Sequence, residues 1–279
     1  MKQKFTLHTH NNELRFDGIS TAKEMLDKAE SLGFETIGVT NHLIVHRNLA
    51  NWRGREPLFF TDFEKDLDVF KRHIEIIENL KSNYKMNILI GFEADFFCGK
   101  EWREGFEKML PKLDVDYLVG TTHFIKSKDE SFLCNIYHLK YLDKISDEDL
   151  DEYMKNHFEN IIESIKSGYY SFIAHLDYCS IFDLGIDKKY DEYKYRILEA
   201  LKEYKMPYEI NTSGYDRIGR PHPDVWMIKE AKKLDIPVVL SDDAHGVNQL
   251  GRHFDEAEAL LDDLGYTNRF TLDMLKKPI

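Results

Sequence analysis

Cysteine is scarce in this chain: Cys98, Cys134 and Cys179 are the three in 279 residues. They are too few and too scattered for a disulfide framework or a cysteine-based zinc motif, which points to a reducing cytoplasm. Long hydrophobic runs are also missing. No apolar stretch approaches the ~20 residues that a spanning helix needs, and the N-terminal MKQKFTLHTH has no signal-peptide core, so neither a membrane partner nor export is expected. Proline is sparse (7 residues) against 18 Phe, 15 Tyr and 3 Trp, which excludes a disordered chain. Positive charge is in deficit, with 38 Lys and Arg against 50 Asp and Glu, a formal net charge of −12. That balance lacks the basic footprint of a general nucleic-acid binder, so no long DNA or RNA partner is expected. Neither a repeat of 20–50 residues nor a low-complexity linker divides the chain, and residues 1–279 read as one domain.

What is present is an alternation. Short apolar, β-branched runs at Phe5–Leu7, Thr36–Val39, Ile88–Phe92, Asp116–Val119, Ser171–Ala174, Tyr208–Ile210 and Val238–Leu240 read as strands. Between them, helical periodicity covers about 21–32, 62–84, 101–113, 147–167, 190–205, 223–235 and 254–263. Ser20-Thr21 and Thr61 stand where helix N-caps are expected, and Gly33, Gly168 and Gly265 where helices should stop. The acidic run Asp147–Asp151 suits the positive end of a helix. Seven β-then-α units predict an α/β protein, either a parallel barrel or a doubly wound sheet, with the loops after the strands gathered at one rim.

Those loops hold an unusual share of the chain's 12 histidines. His8-Thr9-His10 follows the first strand candidate and His42 the second; Glu93-Ala94-Asp95 ends the third; His123 follows the fourth; His175-Leu176-Asp177 closes the fifth. Glu209 through Gly214 continues the sixth, and Asp242-Asp243-Ala244-His245 the seventh. Histidine and carboxylate are ligands of borderline and hard divalent metals, and residues two apart on extended backbone point the same way. One such histidine is ordinarily a hydrogen-bonded loop or core residue. A ligand-type side chain at strand end after strand end, in chain order, is a metal centre. Nine candidates (His8, His10, Asp17, His42, Glu93, His123, His175, Asp243 and His245) are too many for one tetrahedral ion and suit two or three sharing ligands, with Glu93 as the natural bridge. Glu13 rivals Asp17. His73 and His157 read as surface or packing residues, His46 as loop filler or substrate-facing, and His138 and His253 are left open.

Together, His8-Thr9-His10, His42, Gly91-Phe92-Glu93, Thr122-His123-Phe124, Ala174-His175-Leu176-Asp177 and Asp243-Ala244-His245 resemble the polymerase and histidinol phosphatase (PHP) superfamily. Glu93–Phe96, Gly120–Ile125 and Glu209–Gly214 make the chain most similar to the PHP-type histidinol-phosphate phosphatases. The likeness runs from about residue 5 to 266. It implies a distorted seven-stranded (β/α) barrel binding two or three divalent ions of zinc, iron or manganese. By that resemblance His8, His10, Glu93 and Asp243 would bind the first ion, Glu93, His123 and His175 the second, and Asp17, His42 and His245 the third. Asp17 is preferred to Glu13 because Gly18 follows it. Asn41 stands where the family usually has an acid.

The expected reaction is hydrolysis of a small phosphate monoester, L-histidinol phosphate by resemblance and hence a step of histidine biosynthesis, by in-line attack of a metal-bridging hydroxide. The alternative is a PHP-type phosphoesterase or nuclease acting on nucleotides or oligonucleotide ends. A phosphate dianion needs cationic donors; Arg47, Arg53, Arg55, Arg217, Arg220 and Arg252 are candidates, with Arg217 and Arg220 favoured on a tight turn expected at 211–214. Asp177 or His222 is expected to meet the leaving oxygen, and Asp95 or Asp242 to accept from the substrate's imidazole and ammonium. Trp52 and the Phe59-Phe60 pair read either as a lid or as packing.

Overall fold

The computed structural model describes residues 3–14, 16–51, 60–141 and 145–278. Ten strands are assigned: β1 Phe5–Thr6, β2 Thr36–Val39, β3 His42–Leu43, β4 Asn87–Asp95, β5 Tyr117–Thr121, β6 Phe124–Lys126, β7 Leu133–Asn135, β8 Phe172–Ile173, β9 Tyr208–Asn211 and β10 Val238–Ser241. The helices are α1 Ala22–Ser31, α2 Leu67–Lys81, α3 Lys100–Met109, α4 Asp147–Ser167, α5 Asp191–Glu203, α6 Ser213–Ile218, α7 Val225–Lys233 and α8 Phe254–Leu264. The sheet runs β1-β2-β4-β5-β8-β9-β10 with every pair parallel, and each of its strands falls on one of the seven runs read from the sequence. It is a distorted (β/α)7 barrel, nearly closed. The seam between β10 and β1 carries a single Thr9–Ala244 bridge, and below it the Gln3 amide substitutes for a peptide, donating to Leu240 O (2.7 Å) and accepting from Leu240 N (3.2 Å).

Paired residues on parallel strands share a face. Glu93 pairs with Val119, and Val119 with Phe172, while Glu209 pairs with Val239. Leu7, Tyr117, Val119, Phe172, Ala174 and Val239 pack as one apolar cluster that fills the lower barrel, with Phe270 beneath. Both carboxylates therefore face inward above an apolar plug. Gly38 is required here, because a Cβ would lie 1.8 Å from the hydroxyl that Tyr117 uses to bond Leu7 O. The larger core lies outside, where helix stripes such as Met25, Leu26 and Ala29 of α1 and Phe158, Ile161 and Ile165 of α4 cover the barrel wall.

The local signals held where partners were local. Thr21 caps α1 in a reciprocal box with Glu24, and Gly168 and Gly265 end α4 and α8 in the left-handed conformation. Thr61 does not cap α2: Asp66 draws the Thr61 and Asp62 amides to its own carboxylate (2.9 Å each), so the helix starts at Leu67 rather than 62. Of the segment 211–214 expected as a tight turn, Asn211 ends β9, Thr212 makes the turn and Ser213-Gly214 already open α6. Unforeseen were β3 and the antiparallel β6–β7 hairpin, both too short to show a period. His73 and His157 are buried packing residues, and Phe60 packs on Phe70. Trp52, Arg53, Arg55 and Phe59 lie outside the described residues.

Candidate metal centre

The strand-end loops bring all nine candidates together. Four overlapping groups have ligand-type atoms within 4.8 Å of one another: His10, Asp17, His42 and His245; His8, His10 and Asp243; His8, Glu93 and His175; and His42, Glu93 and His123. This grouping differs from the one the resemblance implied. His175 sits with His8, His123 sits with His42, and His10 also joins the Asp17 group. Glu93 is the hub. Its Oε1 lies 3.0 Å from His175 Nε2 and 3.4 Å from both His8 Nε2 and His123 Nε2, and its Oε2 lies 2.8 Å from His42 Nδ1.

Asp17 reaches the cluster because of its neighbour. A Cβ on Gly18 would lie 2.2 Å from the Asn11 carbonyl, so only glycine lets the loop fold back and set Asp17 Oδ2 3.1 Å from both His42 and His245. Glu13, the rival, instead accepts from the Ala22 amide at the start of α1 (3.3 Å). Asn41 pairs with Asn11, accepting from its amide (2.7 Å) and donating to its side-chain oxygen (2.9 Å). A carboxylate there would lose the donor and face two oxygens.

Several cluster atoms are buried without a hydrogen bond: His8 Nε2, both ring nitrogens of His10, His42 Nδ1 and Glu93 Oε2. They lie near other polar atoms but are not aligned to bond them. Buried polar atoms without partners are costly, and lone pairs converging on common points are what divalent cations satisfy. The residues present thus fit a multinuclear metal centre. Without ions the cluster draws its positive charge from protons: against burial, Glu209, Asp243 and Glu93 raise His8 well above its ordinary value and Asp17 and Glu93 raise His42, so metal ions would bind in place of those protons. Burial alone would raise Glu93, but His123, His8 and His42 outweigh it and hold the carboxyl well below its ordinary value. Burial, then His245 and His42, push His10 down to about 3, so its ring stays neutral and keeps one nitrogen lone pair.

A second ring of acids orients the first. Asp95 accepts from His123 N (2.7 Å) and Nδ1 (2.9 Å), and Glu209 Oε1 lies 2.7 Å from His8 Nδ1. Asp95 is therefore not free to receive a substrate, and neither is Asp242, which is buried and accepts from Thr6 Oγ1 and the Gly251 amide. Glu209, read only as part of the sixth strand run, was given no role; a carboxylate inside an otherwise apolar strand candidate was the available signal.

Over the cluster opens a cavity of about 330 Å³, lined by Asp17, His42, Glu93, His123, Asp243 and His245 together with Phe16, Asn135, Tyr137, His138, Tyr178 and Arg217. The β6–β7 hairpin and the turn after it supply Asn135, Tyr137 and His138, which settles His138 as a pocket residue. Tyr178 stands with its ring centroid 4.9 Å from those of both His123 and His175. Arg217 is exposed at the mouth, and among the described residues no carboxylate pairs with it.

The other described arginine candidates are committed elsewhere. Arg220 bonds Asp177 (2.9 Å) and Ser180 (3.0 Å) at a separate cavity, and Arg252 clamps the Asp242 and Asp243 carbonyls and Asp216. Arg47 pairs with exposed Glu101, and His46 faces Glu130 (3.3 Å), both at a third cavity. Asp177 does not line the metal pocket. Burial raises it, but His222 and Arg220 hold it below its ordinary value, and its oxygens also take the Asp224 amide, so an acid role does not suit it. His222, buried with Nδ1 on Asp177 (2.6 Å), does not line the pocket either. His253 bridges Asp216 and Glu256 at the start of α8.

Comparison with known proteins gives the same picture. The PHP domain profile matches residues 6–213. The chain is 24% identical to the histidinol-phosphatase of Bacillus subtilis over 267 residues, 89% of this chain and 96% of that one. It is 22% identical to a protein of Deinococcus radiodurans named "Probable histidinol-phosphatase", over 88% of each chain. The histidinol phosphate phosphatase of Lactococcus lactis, determined with Zn, L-histidinol and phosphate, superposes with a TM-score of 0.66 at 18% identity, covering 96% of this chain and 95% of that one. At that identity the likeness is one of fold.

Proposed function

This chain belongs to the PHP domain family and is a phosphoric monoester hydrolase, and from that premise we propose that it hydrolyses L-histidinol phosphate to L-histidinol and phosphate. One observation carries the reading: ligand-type atoms of nine residues converge beneath an open pocket, those of His8, His10, His42 and Glu93 include buried atoms without a hydrogen bond, and a guanidinium at the mouth is paired with no carboxylate among the described residues. In this reading residues 1–279 form one metallophosphoesterase domain of the cytoplasm. Its two or three divalent ions, of zinc, iron or manganese, are held by His8, His10, Asp17, His42, Glu93, His123, His175, Asp243 and His245. Bound there, such ions acidify water and neutralise phosphoryl oxygens.

The protein's own groups do the rest. Glu93 keeps both oxygens ionised at the centre, so one side chain serves neighbouring groups of histidines. Arg217, tied to no carboxylate, offers a fork of N–H donors to the phosphate's outer oxygens. Burial pushes the Tyr178 phenol up, and its hydroxyl bonds to no described residue. It is a protonated donor beside His123 and His175, placed to meet a phosphate or leaving-group oxygen. Phe16 and Ile44 wall the pocket and exclude water around the ester.

The pocket's size and the net charge of −12 suit a small ester better than a polymer, whose binding needs a basic groove. Initial rates on a phosphoester panel that includes histidinol phosphate, with metal content measured on the same sample, test the reading. A clear preference for histidinol phosphate is expected. A preference for nucleotides or oligonucleotide ends would replace it with the nuclease-like alternative.

A further inference from the structure

We propose that Glu209 is a positioning residue for the metal centre: a buried carboxylate that locks His8 with its Nε2 facing the cluster and couples it to Asp243. The proposal rests on the metallohydrolase reading above and concerns a residue that touches neither substrate nor, by its placement, the ions.

Glu209 is fully buried on the inward face of β9. Four groups from four different strand ends surround its carboxylate. Ser241 Oγ bonds Oε1, and His8 Nδ1 lies 2.7 Å from the same oxygen. The His175 amide and Asn211 Nδ2 both donate to Oε2 at 3.0 Å. Asn211 Nδ2 also reaches Asp243 Oδ2 (3.1 Å), so one amide group ties the two carboxylates together. An ionised carboxylate only accepts, so His8 carries a proton on Nδ1, and Nε2, facing Glu93 (3.4 Å) and Asp243 (3.5 Å), is the nitrogen that would bind an ion. Nε2 is one of the buried atoms without a hydrogen bond.

The surroundings demand a carboxylate rather than any acceptor. With donors on both oxygens, a glutamine must turn its NH2 toward either the His8 and Ser241 pair or the His175 and Asn211 pair. One orientation pushes His8 to give up its Nδ1 proton and reverse its tautomer. The other expels Asn211 from between Glu209 and Asp243. Either way the ligand set beside Glu93 and Asp243 is disturbed, although no ligand has been removed.

The test uses the full chain with Mn2+ alone as the probe, titrated into metal-free protein by calorimetry, alongside the melting temperature of the metal-free form. For Glu209→Gln, an Mn2+ dissociation constant about 10–100-fold weaker than wild type is expected. A purely structural role would lower the melting temperature and leave that constant unmoved, and this outcome would overturn the proposal. If Glu209→Gln does not fold, Asn211→Ala decides: several-fold weaker Mn2+ binding supports the coupling to Asp243, and wild-type binding overturns it. Where wild type takes up no Mn2+ the same titration is run with Zn2+; a wild-type chain that takes up neither would overturn the functional reading and this proposal together, whereas equal uptake by wild type and by Glu209→Gln overturns this proposal alone.

Discussion

Two buried carboxylates at the same end of the barrel, Glu93 and Glu130, each lie beside histidine, and they behave as opposites. Glu130 sits in the turn of the β6–β7 hairpin with a left-handed backbone (φ 58°). Its carboxylate accepts from the Cys98 amide (2.7 Å), the Gly99 amide (3.2 Å) and the buried Lys126 ammonium (2.7 Å), and lies 3.3 Å from His46. Every acceptor site on it has a donor from the protein. Glu93 is ringed by five imidazoles, yet its Oε2 has no hydrogen bond, and several of the rings around it are equally unsatisfied. The same residue types make a closed brace in one place and an open cage in the other. Chemistry is read from the unsatisfied atoms, not from the count of His and Glu.

The sharpest way to break this contrast is to remove a histidine from the cage. His175→Ala or His123→Ala should abolish turnover of the preferred ester, a loss of roughly 10³-fold or more, since several kcal/mol of transition-state stabilisation depend on the ions. Wild-type rates in either variant would take that residue out of the reaction. Glu130→Gln should do the reverse, with Mn2+ uptake unchanged and stability lower by about 1–3 kcal/mol, as expected when a buried hydrogen-bond hub loses its charge. Chemical denaturation of the metal-free protein measures the second.

Acid sharpens the comparison further. Burial would raise Glu130, but His46 and Lys126 bring its carboxyl down to about 2, below the ordinary value of ~4.3. A depressed carboxyl stabilises the fold fully above its unfolded value and loses that contribution as pH falls toward the folded one. The stability difference between wild type and Glu130→Gln should therefore be constant above about pH 5 and shrink between about 4 and 2. A difference that grew on acidification would reverse the assignment. The smallest effect belongs to the mouth of the cage: Arg217→Ala should raise KM for the phosphoester about 10-fold, with Mn2+ binding untouched, because an unpaired guanidinium there meets substrate and not ligands. An unchanged KM would show that this arginine only faces solvent.

Much of this was legible beforehand. The seven strand candidates coincide with the seven strands of the sheet path, because apolar runs bounded by turns are local signals. The nine strand-end residues were legible for the same reason: in a parallel barrel the chain returns each strand's end to one rim. Gly18, following Asp17 as in the family motif, carried the choice of Asp17 over Glu13, and the close approach to Asn11 that requires a glycine there came from the structure. The arginines were not legible. Arg217 and Arg220 lie three residues apart, one in the last turn of α6 and the other just beyond it, but the first faces the pocket with no carboxylate partner among the described residues and the second is held by Asp177, a neighbour 43 positions away in sequence and adjacent only in space.

That divides what each level decided. From the sequence alone came the order of the seven strand-and-helix units and the chemical types delivered to the rim, since these depend on periodicities of two and about 3.6 residues within a short window. Only the tertiary structure decided which of those groups are already satisfied. His8 meets Glu209 across 201 residues, and His245 meets Asp17 across 228. Hydrogen bonding acts over about 3 Å, so whether a polar atom is spent or waiting for a ligand is set by neighbours the chain brings near only when it folds.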